Sequence, residues 1–284
     1  MKESVWTWII SWNMRTFADT QVWVRGAGEL GSGIAHLLHR VGFSVFISEI
    51  SQPLAIRRPV CFSDAIIDGE SEVHNVLAKF YGDITTRGSE ATDHIPVYRD
   101  HPRKLQKLNA SILIDARMIK QYDQDFRSMA ELMIGLGPGF DTATNCNLVI
   151  ETKRGHDLGR IISSGSATTN SGIPGSIGGE TINRLIKAPA TGRVKWEVGF
   201  GELVSKGQQL GSINKSSPIV APLDGMMRGM ISPATEVTTH MKIGDVDPRG
   251  KEVNHLHISE KTRMIALAVL EAIILHNKNN SHHD

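Results

Sequence analysis

One stretch constrains the fold of this chain more than any other: "QVWVRGAGELGSGIAHLLHRVGFSVFISE", residues 21–49. A short apolar run ends in the spaced glycines Gly26, Gly28 and Gly31. A helical pattern follows, with Ile34, Leu37, Leu38 and Val41 on one face and Gly42 where a C-cap glycine belongs. A second apolar run closes the unit. Continuous apolar runs of this length predict strands buried on both faces, joined here as a parallel pair by a crossover helix.

Glycines at this spacing have separable uses. Gly26 permits a tight turn, Gly28 lets a pyrophosphate approach the backbone, and Gly31 lets helix and strand pack closely. The helix N-terminus offers free N–H groups and partial positive charge to a phosphate. Glu49 ends the next strand, where an acid that binds a ribose 2′-hydroxyl is expected. It favours NAD over NADP, although Arg57 and Arg58 nearby weaken that preference. The same glycines also serve simply to build the turn, so nucleotide binding and architecture stand as alternatives.

Further strands are predicted in "IPVYRD", "SILIDAR", "LMIGLGPG" and "NLVIET". "DHPRKLQKLN" reads as a helix capped by Asp100, with Pro102 in its first turn. Strands alternating with helices make residues 21–162 a Rossmann-like parallel-sheet domain. "GLGPGF" places Gly137 and Gly139 in a second glycine turn, either a cofactor-binding edge or a rigid loop shaped by Pro138. In "IDARM", Asp115 and Arg117 fall on one side of an extended chain, and a mutual pair is favoured over a shared ligand.

"VIETKRGHDLGRII", residues 149–162, holds the densest set of reactive types. His156 beside Asp157 has the residue types for acid–base work, and Arg154 and Arg160 suit a bidentate clamp on an anion. Arg154, His156 and Asp157 are therefore candidate catalytic or binding residues; the rival reading is a charged surface loop.

Residues 163–185 form a Gly/Ser-rich loop, a linker or a cover for the site. From 186 to 250 short β-type runs alternate with Gly and Pro. Ala188-Pro189, Gly192 and Val204 recur 33 residues on as Ala221-Pro222, Gly225 and Val237. Two similar halves of that size bury a core only by pairing with each other. Residues 251–277 read as a C-terminal strand and a strongly apolar helix with Ser259 as N-cap, and 278–284 as a disordered tail. His255 and His257 share a face if their segment is extended, but read as a surface pair without a third ligand. No metal site is predicted. The N-terminal extension, residues 1–20, has an apolar run from Val5 to Trp12, too short for the roughly 20 residues that span a bilayer.

A length of 284 residues suits about two domains, and 40% hydrophobic with 21% charged residues is a soluble balance. A net charge of +1 implies no nucleic-acid partner, and no membrane partner is indicated. Cys61 and Cys146 lack metal-site spacing, and their scarcity suits a reducing cytoplasm.

"AGELGSGIAHLLHRVGF", "AIRRPVCFSDAIIDGE", "IGLGPGFD", "VIETKRGHDLGRII", "GIPGSIGGE" and "RLIKAPATG" together resemble the YqeB-type family, over about residues 22–275. That resemblance implies a cytoplasmic bacterial accessory protein serving maturation or activation of a selenium-dependent molybdenum hydroxylase. The hydroxylase would be its partner, and the molybdenum cofactor a conceivable cargo. Residues 188–250 separately resemble biotinyl- and lipoyl-type barrel-sandwich domains through "APATG", "GELVSKGQQL" and "VAPLDG". Lys215 lies at the expected hairpin tip but lacks methionine flanks, so the fold is expected without the carrier function. The leading expectation is an accessory protein with a bound nucleotide. The alternatives are an NAD-dependent oxidoreductase with the 154–160 cluster beside the cofactor, and a non-catalytic adaptor. A homo-oligomer is compatible with each.

Overall fold

The computed structural model describes residues 17–83, 93–119, 125–170, 172 and 175–280. The expectations for most of the N-terminal extension and for the last four residues lie outside that range.

Nine strands form one large sheet: β1 (Gln21–Arg25), β2 (Ser44–Glu49), β3 (Glu70–Val73), β4 (Val76–Phe80), β5 (Ile95–Arg99), β6 (Ile112–Asp115), β7 (Leu132–Leu136), β8 (Leu148–Ile150) and β9 (Ile161–Ile162). Their order is β3-β4-β5-β2-β1-β6-β7-β8-β9. The run from β4 to β8 is parallel, and only the edge strands β3 and β9 are antiparallel. The chain leaves β1 toward β2 on one side and returns to pair β6 on the other. β1 is thus the switch point, where the carboxyl ends of parallel strands open a crevice for ligands.

Alternation along the strands supplies two cores. Val22, Val24, Ile112 and Ile114 face helix α1 (Glu29–Arg40) and the C-terminal helix. Trp23, Phe46, Leu113 and Met133 face the opposite layer, filled by Leu105 from a short helix and by Phe126 and Phe140 from loops. Helices α2 (Ala65–Asp68) and α3 (Pro102–Leu105) are single turns. Asp100 does not cap α3; its carboxylate turns inward to accept from Arg25 and Ser48. Burial of Arg25 decides this, because a buried guanidinium needs an acceptor more than a solvated helix end needs a cap.

Helix α4 (Glu260–Asn280) begins where expected: Ser259 Oγ accepts from Thr262 N–H at 3.3 Å. It runs through residue 280, so part of the segment read as a tail is helical. No strand precedes it; residues 250–259 are a 3₁₀ turn and bends. α4 lies against α1 so closely that a Cβ on Gly33 would fall 2.2 Å from Thr262 Cγ2.

The remaining strands form two four-stranded antiparallel sheets. They are β10 (Leu185–Lys187), β11 (Gly192–Trp196), β12 (Leu203–Val204), β13 (Gln209–Ile213), β14 (Ser217–Val220), β15 (Gly225–Met230), β16 (Glu236–Val237) and β17 (Lys242–Asp247). The sequence echo has a physical form here. Gly192 pairs with Val237 and Val204 with Gly225, so each half's glycine faces the other half's valine. Ala188 exchanges backbone bonds with His240 and Met241, and Ala221 with Gly207 and Gln208, the same pattern 33 residues apart. The two halves are interleaved across a pseudo-twofold and share one core.

A strap from β2 joins the two bodies. Met230 N–H donates to Ile56 O at 2.7 Å, Thr235 Oγ1 to Pro53 O at 3.0 Å, and Ile56 packs in the second core.

Candidate functional site

A cleft of about 670 Å³ opens above the switch point, between the carboxyl edge of the large sheet and the strap and β15–β17. That volume is in the range of small-molecule sites, roughly 300–1,000 Å³. Gly26 and Gly28 follow β1, Glu49 ends β2, Asp100 follows β5, and Ala116 and Arg117 follow β6. Each side of the switch point therefore contributes a strand end.

The three glycines divide their work. Gly26 has φ +102°, and a Cβ there would meet Arg117 N at 3.1 Å. A Cβ on Gly31 would lie 1.9 Å from Gly26 O, so Gly31 brings α1 onto the turn from beneath. A Cβ on Gly28 would meet nothing within 4 Å. Gly28 is the N-cap of α1 without a side-chain cap, leaving the first-turn N–H groups directed at the cleft. Glu49 accepts from Ala27 N–H and Ile50 N–H, both at 2.7 Å, and so ties the turn to β2. Burial pushes its carboxyl up, against those two donors.

Beneath the cleft the charges balance. Arg25 grips Asp100 at 2.9 Å, and Arg117 grips Asp115 at 2.6 Å, the mutual pair favoured from sequence. Phe126 lies under both guanidinium groups. The opposite wall, with Arg57, Arg184, Arg228 and Lys242, has Asp245 as its carboxylate within the cleft. Arg154 and Lys261 line it as well. Lys261 is held below the usual lysine range by burial and by Arg154.

Of the residues singled out in the sequence, Gly26, Gly28, Glu49 and Arg154 meet in this cleft, and Gly31 supports it from below. Gly137 and Gly139 do not line it. Gly137 sits at the end of β7 with φ +71°, and a Cβ there would strike Thr152 Oγ1 at 2.4 Å, a packing reason for that glycine. His156 and Asp157 are exposed and away from the cleft, with Asp157 3.8 Å from Arg160. The neighbouring Glu151 is instead structural. Burial opposes its ionisation, but N–H groups of Lys153 and Thr168 hold its carboxyl below the usual range. It pins the Gly/Ser-rich loop, whose Gly175 and Ile177 line the cleft.

Arg184, Arg228, Lys242, Asp245 and Lys261 escaped the sequence reading because they lie far from the glycine turn in the chain. For Arg228, Lys242 and Asp245 the available signal was charge on strands otherwise expected to be apolar inside. Cys61 also lines the cleft but is buried, and burial raises its thiol well above the usual range. Cys146 is pushed up to about 12 by burial. Neither thiol should react with DTNB in the native protein, and both should react once it is denatured; rapid native reaction at either would contradict this packing. Among the described residues no group of three or more His, Cys, Asp or Glu is placed to hold a metal ion, and no helix is long and apolar enough to cross a membrane.

Fold and cleft together define an α/β protein with a large, mostly parallel sheet, two antiparallel sheets, a C-terminal helix and a cationic cleft at the switch point. In sequence the chain is 40% identical over 258 residues to YqeB of Escherichia coli (strain K12), covering 89% of this chain and 47% of that one. This likeness supports the YqeB-type family, and the chain spans about half the length of that curated relative. No family model matches. Among solved structures, an aspartoacylase family protein from Mesorhizobium loti is 12% identical over 80% of this chain and 84% of its own, with a TM-score of 0.27. The E. coli tRNA N6-threonylcarbamoyladenosine dehydratase TcdA, solved in complex with ATP, is 14% identical over 50% of this chain and 61% of its own, with a TM-score of 0.25. Similarity at that level carries no functional weight.

Proposed function

We propose that the chain is a nucleotide-binding accessory protein whose ligand lies in the cleft with a phosphate at the N-terminus of α1. One observation carries this reading: Gly28 leaves open space at an uncapped helix start, while the glycines on either side are consumed by packing. Glu49 stands at the end of β2, where it suits a ribose hydroxyl, and the cleft is cationic on the side facing it. NAD is the specific candidate that Glu49 favours. In the same reading the large sheet is a Rossmann-like domain and residues 186–250 a barrel-sandwich domain. Lys215, at the β13–β14 turn, serves there as a turn residue at φ +64° and not as a carrier. From the YqeB-type likeness, the partner would be a molybdenum hydroxylase undergoing maturation or activation.

The oxidoreductase alternative loses the acid–base pair named for it, because His156 and Asp157 do not line the cleft. Binding without chemistry is the better-supported form.

Thermal denaturation and calorimetric titration with AMP, ADP and NAD test the proposal. A nucleotide at about 100 times its Kd should stabilise the wild type by about 2.7 kcal/mol. Gly28→Asp should abolish that gain, because its carboxylate fills the phosphate position, while leaving the unliganded protein folded. No stabilisation by any of the three, or an undiminished effect in Gly28→Asp, would sink the assignment. Co-purification of a molybdenum hydroxylase with the tagged chain tests the partner separately.

A further inference from the structure

The wall facing the glycine turn carries more positive charge than its carboxylates offset. Arg184 and Arg228 both donate to Asp245; Arg228 also reaches Asp247, which is shared with Arg249. Asp245 and Asp247 are 1% and 0% exposed, so these pairs lie out of water. Arg57 and Lys242 line the same wall, and among the described residues neither has a carboxylate at ion-pair distance. Arg57, Arg184, Arg228, Lys242 and Arg249 thus face two carboxylates. Glu29, the first residue of α1, adds one negative charge acting on Arg57 and Lys242, and the balance stays positive.

A second observation is independent of the count. Arg57 and Arg184 are 7% and 6% exposed, and the Nε of each is buried without a hydrogen-bond partner among the described residues. A buried guanidinium short of acceptors is costly, and both side chains line the cleft, where an oxyanion would supply acceptors to their guanidinium groups. Burial also pushes Arg57 below its usual range, the mark of a charge short of both water and counter-charge.

We infer that this wall is a second anion subsite, distinct from the glycine turn, in which Arg57, Arg184 and Lys242 hold a phosphate-type tetrahedral oxyanion. Guanidinium groups present donors in a fixed fork that matches such an anion, and lysine adds a compact charge. The subsite rests on the wall's own charges and survives without the nucleotide reading. Two sources share this chemistry: the distal phosphate of a nucleotide already seated at Gly28, or a small free phosphate.

Calorimetric titration of the full chain with inorganic phosphate, at constant ionic strength, tests the subsite directly. Saturable binding is expected, and Lys242→Gln should weaken it about tenfold, the size of one lost charge-assisted bond. Lys242 is exposed at the start of β17, so this variant should keep the fold, which circular dichroism verifies. Gly28→Asp should keep a saturable phosphate site that Lys242→Gln weakens. Absence of saturable binding, wild-type affinity in Lys242→Gln, or loss confined to Gly28→Asp would each overturn the subsite. AMP and ADP then identify the source. A Lys242→Gln defect for ADP and not AMP points to the nucleotide's distal phosphate, and a defect for neither points to free phosphate. If phosphate binds and no nucleotide does, the nucleotide reading fails and the subsite stands.

Discussion

Asp245→Ala is expected to lose about 3–5 kcal/mol of stability, the cost of stranding a buried charge partner. Asp245 accepts from Arg184 on one oxygen and from Arg228 on the other, and the three side chains are nearly inaccessible to water. Removing the carboxylate leaves two guanidinium groups in the wall, and only Arg228 has another acid, Asp247, within reach. Asp245→Asn, which keeps one acceptor oxygen, should lose less. Urea denaturation followed by tryptophan fluorescence reads both. A loss under about 1 kcal/mol for Asp245→Ala would place the network at the level of an exposed ion pair and remove the basis for a dry, charged wall.

Gly31→Ala should be the more damaging change in the glycine motif, costing about 3 kcal/mol or more, at the upper end of overpacking effects. Its Cβ would lie 1.9 Å from Gly26 O and 3.2 Å from Ala116 Cβ, so α1 would have to lift off the turn. Gly28→Ala, in the same motif, should cost under about 1 kcal/mol, because its Cβ enters open space. Thermal denaturation of the two variants side by side separates a glycine needed for packing from one kept small for a ligand. Equal losses would refute that division.

The strand–glycine–helix–strand unit was legible because buried strand pairs and an amphipathic crossover each leave a local periodic signature. Glu49 was legible for a similar reason, being fixed by strand length from the turn. The site's other half was not. Arg228, Lys242 and Asp245 are brought toward Gly28 by the strap at Ile56 and the pairing of β15 with β17, and Arg184 by its bond to Asp245, contacts without a local pattern. Residue type alone did not locate His156 and Asp157, which are exposed outside the cleft, while Glu151 at the base of their loop does the anchoring. Asp100 misled through position: it precedes a helix, yet a buried arginine claims it. Gly137 and Gly139 followed a strand as expected, and packing against Thr152 accounts for Gly137.

The interleaving of residues 185–247 has a kinetic corollary. Gly192 meets Val237 and Val204 meets Gly225, so neither half closes its ladder until the other has been synthesised and threaded beside it. Loop-closure entropy must be spent before those distant contacts form, and topologies dominated by them fold slowly. On a ribosome the large sheet's first strands would emerge long before the cationic wall exists. The wall would thus join the cleft late, followed only by the start of α4 with Lys261.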